Sequence, residues 1–242
     1  MAAAIYNGSN IPQNCVHFMK DEIHDFSVQL KKQNAELKRA IQEEKNGEVF
    51  INQMIHAFAK SIDIKDPYTK GHSFRVAEYA KMIAMKLGYS DKVLENIYHI
   101  ALLHDIGKVV IPEEILNKPG SLTDDEYEMM KQHAQYGYEI LKEIDCLPNL
   151  ALGAGYHHER LDGKGYPHGK QAKEIPQIAR IIAVADTFDA MHSTRPYRKS
   201  MPMENITAEM KRVSGTQLDA HIVDILLELI EEGAVEEISQ RV

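Results

Sequence analysis

Apolar residues in this 242-residue chain recur at helical spacing in one stretch after another, while the strict alternation of a strand is scarce. The helical stretches are 49–62, 74–87, 93–106, 126–141, 147–156, 178–191 and 222–230. A chain patterned in this way can bury its apolar stripes only by packing helix on helix. The expectation is an all-α bundle with additional C-terminal helices. Thr123-Asp124-Asp125-Glu126 has the spacing of a capping box, and Ser90-Asp91 can start another helix. Turns are expected at Gly88-Tyr89, at Pro119-Gly120 and in the glycine-rich run 162–169, inside one long polar loop at 159–176.

The bundle is expected to occupy residues 48–242, with residues 1–47 forming a lead-in and a long N-terminal helix. Residues 1–16 mix Gly, Asn, Ser and Pro without periodicity. From about His17 to Lys45 the pattern turns helical. Ile23, Leu30 and Leu37 recur every seven residues, and Phe26, Gln33 and Ala40 occupy the second seam position. These imperfect heptads suit pairing with a second copy of the chain, hence a homodimer. Gln33 weakens the seam, which leaves open a solvated helix lying on its own domain. Asn46-Gly47 is expected to break or kink the helix.

Composition narrows the function. A net charge of −8 argues against broad electrostatic binding to DNA or RNA, though a few placed cations and metal ions can still receive a small anion. No apolar run approaches the ~18 residues that would span a bilayer, and the first residues lack a secretory pattern. Cys15 and Cys146 stand far apart without CxxC spacing, which suits free thiols in a reducing, cytoplasmic setting.

Twelve histidines are many for this length, so mutual spacing has to sort them. His104 and Asp105 stand side by side at the end of the apolar run Ala101-Leu102-Leu103. With the helices placed as above, His72, His133, His157, His158 and Asp186 also fall at helix ends or on inward faces. Neutral imidazoles with carboxylates suit Fe, Mn, Zn or Ni, and seven such groups exceed what one ion needs. An Asp beside a His can bridge two ions through its two oxygens. Taken alone, His157-His158 could equally be a polar patch where a helix meets a loop. Asp186 ends the apolar run Ile181-Ile182-Ala183-Val184-Ala185, and a carboxylate there needs a partner or a metal. Asp189 lies on the same face, able to orient a ligand or to touch a substrate base.

The ordered set resembles a known family. Gly71-His72-Ser73 with Arg75-Val76, then His104-Asp105-Ile106-Gly107-Lys108, then His133, then His157-His158-Glu159-Arg160, then Asp162-Gly163-Lys164-Gly165-Tyr166-Pro167, then Asp186, and Arg195-Pro196-Tyr197-Arg198 are similar to the HD-GYP domain. This is the bacterial branch of the HD phosphohydrolase superfamily that hydrolyses cyclic dinucleotides. The resemblance runs in order from about Asp63 to Asp224.

It implies an HD-domain helical bundle in which His72, His104, Asp105, His133, His157, His158 and Asp186 ligate two divalent transition-metal ions. Asp105 would bridge them, with iron the first expectation and manganese the next. Lys108 and Asp105 would act at the reacting phosphate, through metal-activated solvent. Arg195, Arg198 and Lys108 would hold substrate, and Gly165, Tyr166 and Pro167 would shape the site; Asp189, from its place on the face of Asp186, is counted with the substrate contacts. The implied reaction is hydrolysis of cyclic di-GMP to linear pGpG, and possible onward cleavage to GMP is weakened by one departure. Where some members place a Glu that helps hold a third metal, this chain has Tyr68. The competing expectations are a catalytically degenerate signalling module and a hydrolase for another cyclic dinucleotide such as cyclic GMP-AMP. The remaining implied partner is an upstream sensor domain or signalling protein.

Overall fold

A computed structural model describes residues 12–66, 71–193 and 200–239, with side chains from residue 24 onward except at 237 and 239. The elements are α1 (Pro12–Lys65), α2 (His72–Lys86), α3 (Asp91–Leu102), a 3-10 turn (Ile106–Val110), α4 (Glu113–Leu116), α5 (Asp124–Leu141) and α6 (Leu150–Tyr156). A second 3-10 turn (Ala172–Glu174) leads to α7 (Gln177–His192), α8 (Met203–Val213), α9 (Ala220–Glu231) and α10 (Glu236–Ser239). The fold is all-α, with no strand among the described residues, as the periodicity predicts.

By compactness the chain divides into residues 1–52 and residues 53–242. In the first unit, helix α1 leaves Phe26, Leu30 and Leu37 exposed. The break expected at Asn46-Gly47 does not occur, and α1 runs through it. One glycine costs a helix only about 1 kcal/mol, and the long run of Glu, Lys, Gln and Ala around it offsets that cost. Asn46 also contributes, since its Oδ1 accepts from Gln42 Nε2 one turn earlier at 3.0 Å.

In the second unit α7 is the buried hub. Ile181, Ile182, Val184, Ala185 and Phe188 are all fully buried, so this helix is apolar on nearly every side. Helix α2 packs its Val76, Ala80 and Ile83 face on α7, and Tyr79 meets Phe188 edge-on with ring centres 5.0 Å apart. Helices α3 and α6 close the same core through Ile97, Ile100, Leu150 and Ala154. Thr123 caps α5 with the full box: its hydroxyl accepts from the Glu126 amide, and Glu126 accepts from the Thr123 amide at 2.7 Å.

One boundary and one element differ from expectation. Helix α3 stops at Leu102 instead of running to 106, because the amides of Leu103 and His104 turn back to carbonyls three residues away. The tightened turn then passes through Asp105 at φ −96°, ψ 10°. Helix α8 was not expected at all, although Ile206, Met210 and Val213 give it a buried stripe at i, i+4, i+7.

Candidate metal centre

The seven ligand candidates come from five places in the sequence and meet at one end of the bundle. His72 is the first residue of α2, directly after Gly71 in the left-handed conformation. His104 and Asp105 sit in the turn after α3, His133 lies inside α5, His157 and His158 follow α6, and Asp186 belongs to α7. Their donor atoms fall into two groups, Asp105 with His133, His157 and His158, and His72 with His104 and Asp186. Within each group all donor atoms lie within 4.8 Å of one another. No further group of this kind occurs among the described residues.

Glycine makes the meeting possible. A Cβ on Gly107 would overlap the carbonyl of His133 and the amide nitrogen of Gly137, so the turn after His104-Asp105 can lie against α5 only without a side chain.

Three imidazoles are held by one device. Nδ1 of His104, His133 and His157 lies 2.7, 2.7 and 2.9 Å from the carbonyl three residues earlier, on Ala101, Met130 and Ala154. A carbonyl can only accept, so each Nδ1 carries a proton, and a neutral ring held in this way turns its Nε2 lone pair inward. His104 Nε2 is buried there without a hydrogen-bond partner. His133 Nε2 and His157 Nε2 face each other at 3.4 Å, two acceptors with no donor between them. Burial holds His133 and His157 below the ordinary histidine range, and it lowers His158 to about 3. Converging lone pairs on uncharged rings are a donor set that fits a cation.

His72 is treated differently. Its Nδ1 lies 2.8 Å from Asp189 Oδ2 and its Nε2 3.3 Å from Asp186 Oδ1. Burial alone would lower its pKa, but the two carboxylates outweigh that and raise it to about 10. Asp186 and Asp189 are correspondingly held below the ordinary carboxylate range, burial being overcome by their bonds to His72.

Asp105 stands between the groups, one oxygen to each. Oδ1 is 3.5 Å from His133 Nε2 and 3.8 Å from His157 Nε2, while Oδ2 is 3.4 Å from His104 Nε2 and 3.8 Å from His72 Nε2. Lys108 Nζ lies 2.7 Å from Oδ2 and 3.1 Å from Asp66 Oδ2. Burial opposes the charges on this pair, yet each keeps the other ionised: Asp105 is held far below its ordinary value, and Lys108 is pushed up.

The loop after α6 closes over the His158 side. The Tyr166 amide donates to the His158 carbonyl at 3.2 Å, and its ring stacks on the His158 imidazole with centres 4.7 Å apart. Gly165 is again obligatory, because a Cβ would overlap the His158 carbonyl and the Arg160 amide nitrogen. The following Tyr166–Pro167 peptide is cis. A cavity of about 720 Å³ opens from the donor cluster, with Ile115, Leu116, Leu122 and Met130 on its apolar wall and Lys118 and Ser121 beside them.

One expectation is corrected. Asp189 is fully buried, and its oxygens take His72 Nδ1 and both Nε and Nη2 of Arg75, at 2.6 and 2.9 Å. It has no surface to offer a substrate and instead orients His72. Arg195, Arg198 and Tyr68 lie outside the described residues. Two residues that no sequence expectation assigned a role also belong to the site. Asp66 grips Lys108, and buried Glu159 accepts the amides of His168 and Lys170 at 2.7 and 2.8 Å, which ties the 159–170 loop shut. Glu159 directly follows the His-His pair, which was the signal available for it; Asp66 directly follows α1 and had no local signal.

A family model described as "HD domain" matches residues 56–222. The chain is 43% identical over 172 residues to the 3'3'-cGAMP-specific phosphodiesterase 3 of Vibrio cholerae, an alignment covering 71% of this chain and 37% of that protein. It is 41% identical over 188 residues to a cyclic di-GMP phosphodiesterase of Thermotoga maritima, covering 76% of this chain and 51% of the relative. The chain thus spans about half the length of these relatives or less. A crystal structure of a V. cholerae cyclic GMP-AMP specific phosphodiesterase superposes with a TM-score of 0.62 at 20% identity, over 78% of this chain and 52% of that one, a likeness of fold. With the HD pair and its partners in one order and one place, the chain belongs to the HD domain family.

Proposed function

We propose that this chain carries a metal-dependent phosphodiesterase that opens a cyclic dinucleotide, cyclic di-GMP in the first instance, to the linear pGpG. The observation that carries the reading is the inward convergence of imidazole lone pairs on the two oxygens of Asp105. Imidazoles and carboxylates without a thiolate suit two divalent transition ions, iron first and manganese next. When bound, such ions polarise a phosphoryl oxygen and make water acidic enough to attack near neutral pH.

The protein's own groups have separate tasks in this reading. His104, His133, His157 and His158 offer neutral nitrogens, His72 and Asp186 complete the second group, and Asp105 faces both. Lys108, fixed by Asp66 and Asp105, puts a permanent positive charge beside the place where a phosphate would gain negative charge. Arg195 and Arg198 are proposed to hold the phosphates by charge-assisted bonds. The apolar wall of the cavity gives the flat bases a surface to lie on.

Cyclic GMP-AMP is the second reading, favoured by the 43% identity to a relative named for that substrate. Onward cleavage of pGpG to GMP is not part of the proposal, given Tyr68. A degenerate signalling module fits less well, because all seven donors are present and gathered. The exposed Phe26, Leu30 and Leu37 of α1 support a homodimer formed through the N-terminal helix, taking input from an upstream sensor domain or signalling partner. Among the described residues no helix is long and apolar enough to cross a membrane; the proposed compartment is the cytoplasm.

The test is anaerobic purification, metal analysis, and separation of the products formed from cyclic di-GMP and cyclic GMP-AMP. Bound iron or manganese with pGpG as product supports the main reading. Product from cyclic GMP-AMP alone moves the assignment to the second, and little metal with no product from either nucleotide leaves the signalling module.

A further inference from the structure

Consecutive residues at the end of α1 grip Lys108 at its two ends. Asp66 Oδ2 accepts from the Lys108 ammonium at 3.1 Å, while Lys65 Nζ donates to the Lys108 carbonyl at 3.0 Å. The same Lys65 ammonium donates to the carbonyls of Val109 at 2.5 Å and Ile111 at 2.9 Å. Three N–H donors meet three main-chain acceptors, which is the full donor capacity of an ammonium. These carbonyls lie at the closing end of the 3-10 turn Ile106–Val110, where orphan acceptors and aligned peptide dipoles favour a cation.

Apolar packing does little of this work. Val109 and Val110 are 53% and 48% exposed, so the back of the turn is anchored by Ile111 and by little else that is apolar. Its front is pinned by Gly107 against α5. Between those two anchors lies Lys108, whose ammonium must stay within reach of Asp105.

We infer that Lys65 is a positioning residue for Lys108: by clamping the carbonyls of Lys108, Val109 and Ile111 it fixes the turn from which Lys108 reaches the site. The inference rests on the proposed phosphodiester hydrolysis for its catalytic consequence, and on the geometry alone for the clamp. Lys65 lines neither the cavity nor the donor cluster, so its effect should reach the reaction only through Lys108.

Lys65→Met keeps the length and apolar stem of the side chain and removes all three donors. The measurements, on the full-length metal-loaded chain, are kcat and KM with cyclic di-GMP (or with cyclic GMP-AMP, if only that is turned over), metal content, and hydrogen exchange of the peptide spanning 105–112. The expected result is a kcat lower by roughly tenfold, a KM changed by less than about twofold, unchanged metal content and faster exchange in that peptide alone. Lys65→Arg, which can still donate to carbonyls, should recover part of kcat. In a Lys108→Met background, Lys65→Met should lower kcat no further, since a residue acting through another loses its effect when that residue is gone.

An equal fall in kcat in both backgrounds would overturn the inference, as would unchanged exchange together with unchanged kcat. Should Lys65→Met not fold, Lys65→Gln takes its place with the same readings. If the wild-type chain turns over neither cyclic nucleotide, the proposed function fails, and the exchange of residues 105–112 still decides the clamp by itself.

Discussion

The two sides of Asp105 solve one problem in opposite ways. On the His133, His157 and His158 side, crowded rings are kept uncharged, because burial and mutual repulsion remove protons and carbonyls fix the tautomer of His133 and His157. On the other side His72 is embraced by Asp186 and Asp189 and keeps its proton, with a pKa near 10. One half is therefore ready for a cation as it stands. The other is already internally neutralised, and His72 has to release a proton before it can ligate. The difference teaches that a set of seven ligand-type residues need not be one uniform receptor.

The sharpest way to break the comparison is to remove its pivot. His72→Ala should cost one of the two proposed ions and His157→Ala the other, while Asp105→Ala costs both. Turnover in Asp105→Ala should fall by roughly a thousandfold or more, since it removes the group common to both halves. Metal analysis beside circular dichroism reads this outcome. If the Asp105→Ala protein is folded and retains two ions, the two groups are independent sites and the carboxylate is no bridge.

How much of this was legible in the sequence follows from distance along the chain. The donors could be read because they lie on helices whose 3.6-residue period is plain, and because His104-Asp105 and His157-His158 are adjacent pairs. The capping box at Thr123 is local and could be read for the same reason. What escaped is long-range or marginal. Asp66 and Lys65 reach Lys108 across more than forty residues, and nothing local to α1 announces that meeting. Asp189 was left between two roles because its face of α7 could be read but its depth could not; Arg75, 114 residues earlier, decides it. At Asn46-Gly47 a turn signal competed with a long helical run, and the run won by a small margin of propensity.

A middle-sized effect should come from the groups that hold His72 in place. Asp189→Asn keeps the shape and the bond to one partner but removes the charge that orients His72 and pairs with Arg75. The expected loss is roughly 10–100-fold in metal affinity or turnover, concentrated in the ion of the His72 group. Titration of metal-free protein with manganese, followed by calorimetry, should show one weakened step and one unchanged. Two equally weakened steps would mean that Asp189 supports the whole bundle end and that the two halves are not separately tuned.

The smallest effect, and the most direct test of the contrast, is in the pH dependence of the metal-free protein. His158 has a folded pKa of about 3 against 6.5 for the free side chain, so the unfolded chain binds the extra proton first as the medium is acidified. Its contribution to stability is complete above pH 6.5 and is lost as the pH falls from 6.5 towards 3. His72, raised to about 10, behaves oppositely: its contribution is complete below pH 6.5 and is lost as the pH rises from 6.5 towards 10. Each of these two groups should contribute a slope of roughly 3–5 °C in Tm per pH unit for a unit of this size. His158→Gln should make the acid limb shallower, His133 and His157 carrying the rest of it, and leave the alkaline one, whereas His72→Gln should flatten the alkaline limb and leave the acid one. Thermal unfolding of the chelated proteins at pH 5, 7 and 9 separates the cases. If both substitutions flatten the same limb, the two sides of Asp105 share one protonation state and the contrast between them is lost.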